Sequence, residues 1–254
     1  MPKAIPLEEL PIFSKSNLPN TFFDYSKGAA FLIDKPKKWT SFDVVKFLRK
    51  CLDIRKIGHA GTLDPMATGL LILCCGNGTR TVSAFQEADK EYIAEMSFGS
   101  STPSLDAETI PKERAQFAHI TKKKIQQALN DHFSGQIIQI PPMYSALKHE
   151  GDPLYKLARK GKKVKRKPRQ VIIEETQVLE CNLPRLKLYI KCSKGTYIRT
   201  LADDLASKLN SAGHLIGLKR TAIGAYKNEH ALSVDEMEDI FSIENYEDHI
   251  EHLQ

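Results

Sequence analysis

GHAGTLDPMATG, residues 58–69, runs without a break into the apolar stretch LLILCC, residues 70–75. A glycine-flanked loop that ends in such a stretch reads as a turn feeding a buried strand, and the turn displays one carboxylate, Asp64. Gly58 and Gly61 permit positive φ or close backbone approach, Pro65 fixes φ directly after the acid, and Gly69 opens the strand. This chemistry aims Asp64 away from the core. Asp before Pro is also an ordinary turn-former whose carboxylate bonds its own backbone, so spacing alone leaves a structural and a chemical role both open.

Working outward, AAFLIDKP near residue 29 reads as a short buried strand, and Ser41 as the cap of a helix carrying Val44, Val45, Leu48, Cys51 and Leu52 at helical spacing. Beyond the strand of residues 69–75, TRTVSAFQEAD has a helical pattern. Residues 92–98 alternate, with Tyr92, Ala94, Met96 and Phe98 on one face. A helix is predicted from Thr121 to about Phe133, with Gly135 ending it, and then a strand at QIIQI. VIIEETQVLE and RLKLYIKC make an antiparallel pair, followed by a helix beginning close to Tyr197 and a last strand in GHLIGLKRTAIGAY. Strands joined by both hairpins and helices favour an α+β fold with a mixed, largely antiparallel sheet over a doubly wound parallel one. Residues 1–28, broken by Pro2, Pro6, Pro11 and Pro19, read as an irregular, loosely packed leader.

The chain has 254 residues, 41% of them hydrophobic, enough for one sizeable core or two modest ones. No apolar run approaches the roughly 18 residues that span a bilayer, and the N-terminus has no secretory pattern, so a cytoplasmic setting is expected. Five cysteines, Cys51, Cys74, Cys75, Cys181 and Cys192, lack C-x-x-C spacing or suitably placed histidines, which argues against a zinc site. Charge is unevenly divided. Residues 228–254 hold nine acids and no Lys or Arg, so residues 1–227 carry 37 bases against 31 − 9 = 22 acids, a net of +15. A basic body of this kind points to a nucleic acid partner, and the missing membrane features argue against a lipid surface.

The stretch around Asp64 resembles the catalytic motif of the pseudouridine synthases, in the TruB branch that isomerises uridine 55 in the T loop of tRNA. Gly58, His59, Gly61, Leu63, Asp64, Pro65, Ala67 and Gly69 occupy every specified position of G-H-x-G-x-L-D-P-x-A-x-G. The resemblance covers roughly residues 29–226. It implies the pseudouridine synthase fold, a long sheet across two subdomains with a central cleft, in a catalytic domain at residues 29–227. It also implies no metal or organic cofactor, a monomer with no obligatory protein partner, and the T arm of tRNA as substrate. Many bacterial relatives continue into a PUA domain; the short acidic tail of residues 228–254 is too small to form a complete one.

The resemblance carries roles to individual residues. Asp64 is the nucleophile, acting on an extruded uridine by stabilising or attacking C1′, or by attacking C6 of the ring. A carboxylate in a cleft near phosphates needs a fixed cation to stay ionised, and Arg199 in GTYIRT is the residue implied to pair with it. Tyr197 lines the uracil pocket. Tyr92, in the K-x-Y motif, is implied to be catalytic as well, stacking on the flipped base and relaying a proton; as the opening residue of a strand beside Lys90 and Glu91 it is expected to be partly exposed. Leu218 closes the pocket on its other side, and His59 helps occupy the space the flipped nucleotide vacates. Base flipping is obligatory, because C1′ and C5 of a stacked uridine are out of reach.

The segment KLARKGKKVKRKPR holds nine bases and no acid: Lys156, Arg159, Lys160, Lys162, Lys163, Lys165, Arg166, Lys167 and Arg169. It lies in the part of the chain, about residues 141–170, that resembles the family's thumb loop, and is expected to grip the RNA backbone. Such a run is also compatible with a solvated loop. Two residues depart from the family pattern in GSSTPSLDAET, Pro103 where Asp is common and Thr109 where Gly is common, whereas Asp106 is kept; Arg80 stands where Lys is usual. A non-catalytic RNA-binding or tRNA-folding protein would use the same basic surface without needing Asp64, and a glycosylase would release uracil.

Overall fold

Thr68–Cys75, the strand behind the Asp64 turn, is buried on both faces, and it organises the fold around the turn. The computed structural model describes residues 4–242. Along the chain β1 (Ile12–Phe13), β2 (Ala29–Lys35), α1 (Ser41–Leu52), β3 (Ile57–His59) and β4 (Thr68–Cys75) come first. They are followed by α2 (Val82–Glu87), β5 (Lys90–Phe98), the small ribbon β6 (Ser100–Ser101) with β7 (Glu113–Arg114), α3 (Lys122–His132) and β8 (Gly135–Gln139). A second ribbon, β9 (Lys148–His149) with β10 (Asp152–Pro153), precedes α4 (Leu154–Arg159), β11 (Arg169–Asn182), β12 (Arg185–Cys192) and α5 (Ile198–Lys208). β13 (Gly213–Ile223), β14 (Tyr226–Lys227) and α6 (Val234–Phe241) complete the order. The chain forms two units, one of Met1–Lys90 with Lys219–Gln254, the other of Glu91–Leu218.

In the first unit β2 pairs antiparallel with β4 along the whole of β2, from Ala29↔Cys75 to Lys35↔Gly69. The other edge of β4 is shared. β3 runs antiparallel beside Leu73–Cys75, and the end of β13 arrives parallel beside its start, as Lys219↔Thr68 and Arg220↔Gly69. The Asp64 turn therefore joins β3 to β4 at the point where β13 takes over as neighbour. Alternation explains why both faces are apolar: Phe31, Ile33, Leu71, Leu73 and Cys75 pack with Val44, Val45, Phe47 and Leu48 of α1. Ala30, Leu32, Leu70, Ile72 and Cys74 face a second cluster with Leu10 and Phe85. The adjacent Cys74 and Cys75 thus point into different clusters, both as free thiols, and burial raises their pKa to about 12 and about 11.

The second unit places β13, β5, β12, β11 and β8 side by side, with β11 antiparallel to both β12 and β8. The expected α+β class with a mixed, largely antiparallel sheet holds, with parallel pairing where β1 meets β2 and where β13 meets β4. α3 begins after its cap Thr121, and α5 after Tyr197, close to the expected limits.

Two expectations need correction. The cap of α1 is Thr40, not Ser41: the Thr40 Oγ1 accepts from the Asp43 N–H and the Asp43 carboxylate accepts from the Thr40 N–H, a reciprocal pair. The leader is not loosely packed. Leu10, Phe13 and Tyr25 are buried, β1 pairs with β2, and the Phe13 ring lies 5.2 Å from those of Phe23 and Phe31. The prolines break helical periodicity, but the leader's apolar residues pack against β2, which no local pattern could reveal. The acidic tail, whose secondary structure the sequence left open, includes the helix α6. Ser233 and Glu236 form a capping box, and Val234 and Met237 of α6 pack on the α1 side of the sheet while Asp235 and Asp239 stay exposed. The rest of the tail, residues 243–254, lies outside the described residues.

Candidate active site

The turn of residues 60–67 is held at several points before any substrate is considered. Main chain closes it, the Ala67 N–H donating to the Asp64 carbonyl at 3.0 Å. The buried Ser41 hydroxyl accepts from the Leu63 N–H at 2.8 Å and donates to the Leu63 carbonyl at 3.2 Å. Lys38 N–H donates to the Pro65 carbonyl at 2.8 Å. The residues on both sides of Asp64 are therefore fixed to α1 and the segment leading into it, and Asp64 itself is half-buried.

Behind the turn lies Arg220, 2% exposed, whose Nε donates to the Leu70 carbonyl at 2.7 Å and whose Nη2 donates to the Gly61 carbonyl at 3.2 Å. Gly69, at φ +99°, is required for this approach: a Cβ there would stand 2.3 Å from the Arg220 carbonyl oxygen. His59 is half-buried at the end of β3, in the same unit as Asp64. Burial holds its pKa below the usual imidazole value, and the Arg220 charge pushes it further down against a bond to the Gly61 main chain. His59 is thus held neutral near pH 7, with Nδ1 buried and unpaired among the described residues.

In the second unit Arg199 is 4% exposed in the first turn of α5. Its Nη1 donates to the Ser104 carbonyl at 2.9 Å and lies 3.3 Å from Asp106 Oδ2, and its Nη2 donates to the Tyr144 carbonyl at 2.7 Å. Asp106 is 1% exposed; its Oδ1 accepts from the Ser104 hydroxyl at 2.5 Å and from the Glu108 N–H at 3.0 Å. Thr109, one of the departures from the family pattern, has a task in this loop. Its hydroxyl bonds the Ser104 hydroxyl at 2.7 Å and accepts from the Ser104 N–H at 3.1 Å.

Tyr197 precedes α5 and is clasped by Gln139, whose amide oxygen accepts from the Tyr197 N–H at 3.0 Å and whose amide nitrogen donates to the Tyr197 carbonyl at 3.2 Å. The guanidinium of Arg169 lies 5.9 Å from the centre of the Tyr197 ring, so one member of the basic run meets a residue expected in the uracil pocket. Leu218 is half-buried on β13. Tyr92 is the third residue of β5 and is buried at 8% exposure, not partly exposed as its charged neighbours suggested. Lys90 explains the difference: its ammonium turns inward onto the carbonyls of Phe85, Gln86 and Ala88 at the end of α2. Of the basic run, Lys156, Arg159, Lys160, Lys162, Lys163, Lys165 and Lys167 are exposed and Arg166 half-buried, on α4 and the irregular segment after it, while Arg169, also half-buried, opens β11.

Sequence reading missed Ser41, Gln139 and Arg220. Each acts on main-chain atoms of residues far along the chain, and side-chain identity does not encode such partners. Asp106 could be found only as a retained family position. Among the described residues no group of three or more His, Cys, Asp or Glu could hold a metal ion, and no helix is long and apolar enough to cross a membrane.

A family model described as TruB family pseudouridylate synthase, N-terminal domain, matches residues 49–198. A second, for the tRNA pseudouridylate synthase B C-terminal domain, matches residues 199–253, so the likeness extends past residue 226. The chain belongs to the TruB family of pseudouridylate synthases. It is 47% identical over 218 residues to the tRNA pseudouridine synthase B of Phocaeicola vulgatus, covering 84% of this chain and 92% of that one. With the protein of the same name from Parabacteroides distasonis it shares 46% over 222 residues, 85% of this chain and 94% of the relative. Among solved structures it resembles a crystal structure of a Cbf5-Nop10-Gar1 complex, with TM-score 0.65 and 29% identity over 88% of this chain and 58% of that one. It also resembles a structure of an H/ACA RNP bound to a substrate RNA containing 2′-deoxyuridine, with TM-score 0.63 and 25% identity over 96% of this chain and 63% of that one. The chain thus spans less than two thirds of the length of these solved chains.

Proposed function

We propose that this chain isomerises uridine to pseudouridine at position 55 in the T loop of tRNA, with Asp64 as the reacting carboxylate. The observation that carries this reading is the turn that displays Asp64, tethered on both sides of the acid through Leu63 and Pro65. Such tethering suits a group that must meet an extruded ribose or base without reorganising. The relatives' shared name, tRNA pseudouridine synthase B, supports tRNA as the substrate. The reaction breaks the bond from C1′ to N1, turns the uracil and joins C5 to C1′; the proton on C5 is lost and N1 gains one. The proton gained at N1 balances the one lost from C5, so the composition is unchanged and no co-reactant is consumed.

In this reading Arg199 keeps Asp64 ionised, Tyr92, Tyr197 and Leu218 hold the uracil, and His59 fills the space it vacates. A neutral His59 fits that last task, since an uncharged ring stacks on bases at less desolvation cost. The exposed lysines from Lys156 to Lys167, with Arg159, Arg166 and Arg169, grip the RNA backbone. The enzyme works as a monomer in the cytoplasm.

Nucleoside analysis of full-length tRNA and of an isolated T-arm hairpin after incubation tests the reading. Pseudouridine at position 55 is expected. Unchanged uridine would indicate an RNA-binding protein without this chemistry, and an abasic site a glycosylase. Asp64→Asn should reduce product below detection while RNA affinity stays within about threefold, because phosphate contacts supply most of the binding energy; turnover at the wild-type rate would refute the assignment.

A further inference from the structure

Arg220 is a buried cation for which the reaction outlined above has no use. Its described hydrogen bonds go to two main-chain carbonyls, those of Gly61 and Leu70, and no carboxylate is recorded as its partner among the described residues. Taking a guanidinium out of water costs several kcal/mol, and two carbonyl dipoles return only part of it, so its retention calls for a task. The two carbonyls supply one: Gly61 lies three residues before Asp64 and Leu70 six after it.

We propose that Arg220 is the positioning residue of the Asp64 turn: one guanidinium bridges the carbonyls at the two ends of the loop and thereby sets where the carboxylate stands. The remainder of the geometry fits this task. Arg220 reaches the loop from β13, whose backbone is in register with Gly69. Gly69 has no Cβ where one would strike the Arg220 main chain, and the site of a Cβ on Gly61 is 3.6 Å from Arg220 Nη1. The planar fork matters as much as the charge, because Nε and Nη2 bond different residues at once, which a lysine ammonium on its flexible stem does not reproduce. Arg220 touches neither base nor ribose in this scheme and acts through Asp64, so the proposal rests on the proposed role of that residue.

Three measurements test it. Arg220→Lys keeps the charge but not the fork, and misplacing the carboxylate by about 1 Å should lower kcat on the order of 100-fold, with KM for tRNA within about threefold. A kcat within threefold of wild type, or a loss confined to KM, would overturn the proposal. Arg220→Met, of similar length and neutral, should show the same loss in kcat and should raise the His59 titration midpoint, read by NMR; Arg220→Lys should leave that midpoint low. An unchanged midpoint in Arg220→Met would mean that the charge is not where the bridge requires it. The third needs no variant: the Arg220 Nε–H of the wild-type protein should exchange with solvent far more slowly than that of an exposed arginine, and rapid exchange would exclude a bridge even if both variants fail to fold. If wild-type protein makes no pseudouridine, the role of Asp64 falls, whereas the exchange and titration results still decide the bridge.

Discussion

At the scale of single residues, a buried guanidinium must find acceptors, and the acceptors it finds decide what it does. Arg199 meets Asp106 at 3.3 Å with both groups nearly sealed from water. Asp106→Asn would keep an acceptor for Ser104 and Glu108 but turn a neutral amide toward the cation. Breaking a buried pair costs about 3 kcal/mol or more, which for a chain of this size is a fall of roughly 6 to 12 °C in Tm. Thermal melting checks this, and a fall under about 2 °C would show that the pair carries little energy. The turn that carries Asp64 was legible in the sequence because its residues are locally constrained, glycines and a proline, whose backbone preferences act at short range. Gln139 and Arg220 were not legible. Their partners are carbonyl and amide groups of distant residues, and every residue type presents those equally. Tyr92 was misjudged for a related reason, since Lys90 beside it folds onto the end of α2 and does not mark an exposed edge.

At the scale of elements, α4 and the segment after it show how a charge run acquires a location. The helix is short, with only Leu154 buried, and Lys162, Lys163 and Lys165 project from irregular chain that ends where β11 begins. Arg169 opens β11 and stacks by Tyr197, which ties one end of the run to the second unit. Replacing Lys162, Lys163 and Lys165 with alanine should weaken tRNA binding and reduce the slope of log K against log salt by about 2, each phosphate contact being worth roughly 0.7 to 0.9. Titrations over a salt series measure this directly, and an unchanged slope would remove these lysines from the RNA interface. The strands and longer helices were read close to their true limits because apolar periodicity marks them. The short strand β3 was missed: Ile57–His59 is too brief for alternation, and it is a strand only because β4 supplies its partner.

At the scale of the whole molecule, the two ends of the chain converge on the first unit. Phe13 from the leader and Met237 from α6 belong to one apolar cluster, with β2, β4 and α1 between them in sequence. Phe13→Ala should therefore cost about 3 to 5 kcal/mol, whereas the same change in a loosely packed leader would stay within about 0.5 kcal/mol. Denaturant unfolding distinguishes the two. Prolines at one end and acids at the other concealed this packing, since both are local signals and the contacts are not.

The sequence by itself determined the α+β class, the doubly buried strand after residue 67 and the turn that carries Asp64, because alternation, glycine and proline act on the nearest residues. The family followed from the same dozen positions. Only the tertiary structure decided that Ser41, Lys38 and Arg220 hold that turn and that Asp106 and Tyr144 hold Arg199. Those bonds exist only where distant backbone carbonyls and amides converge, and excluding water there is what gives each bond its weight.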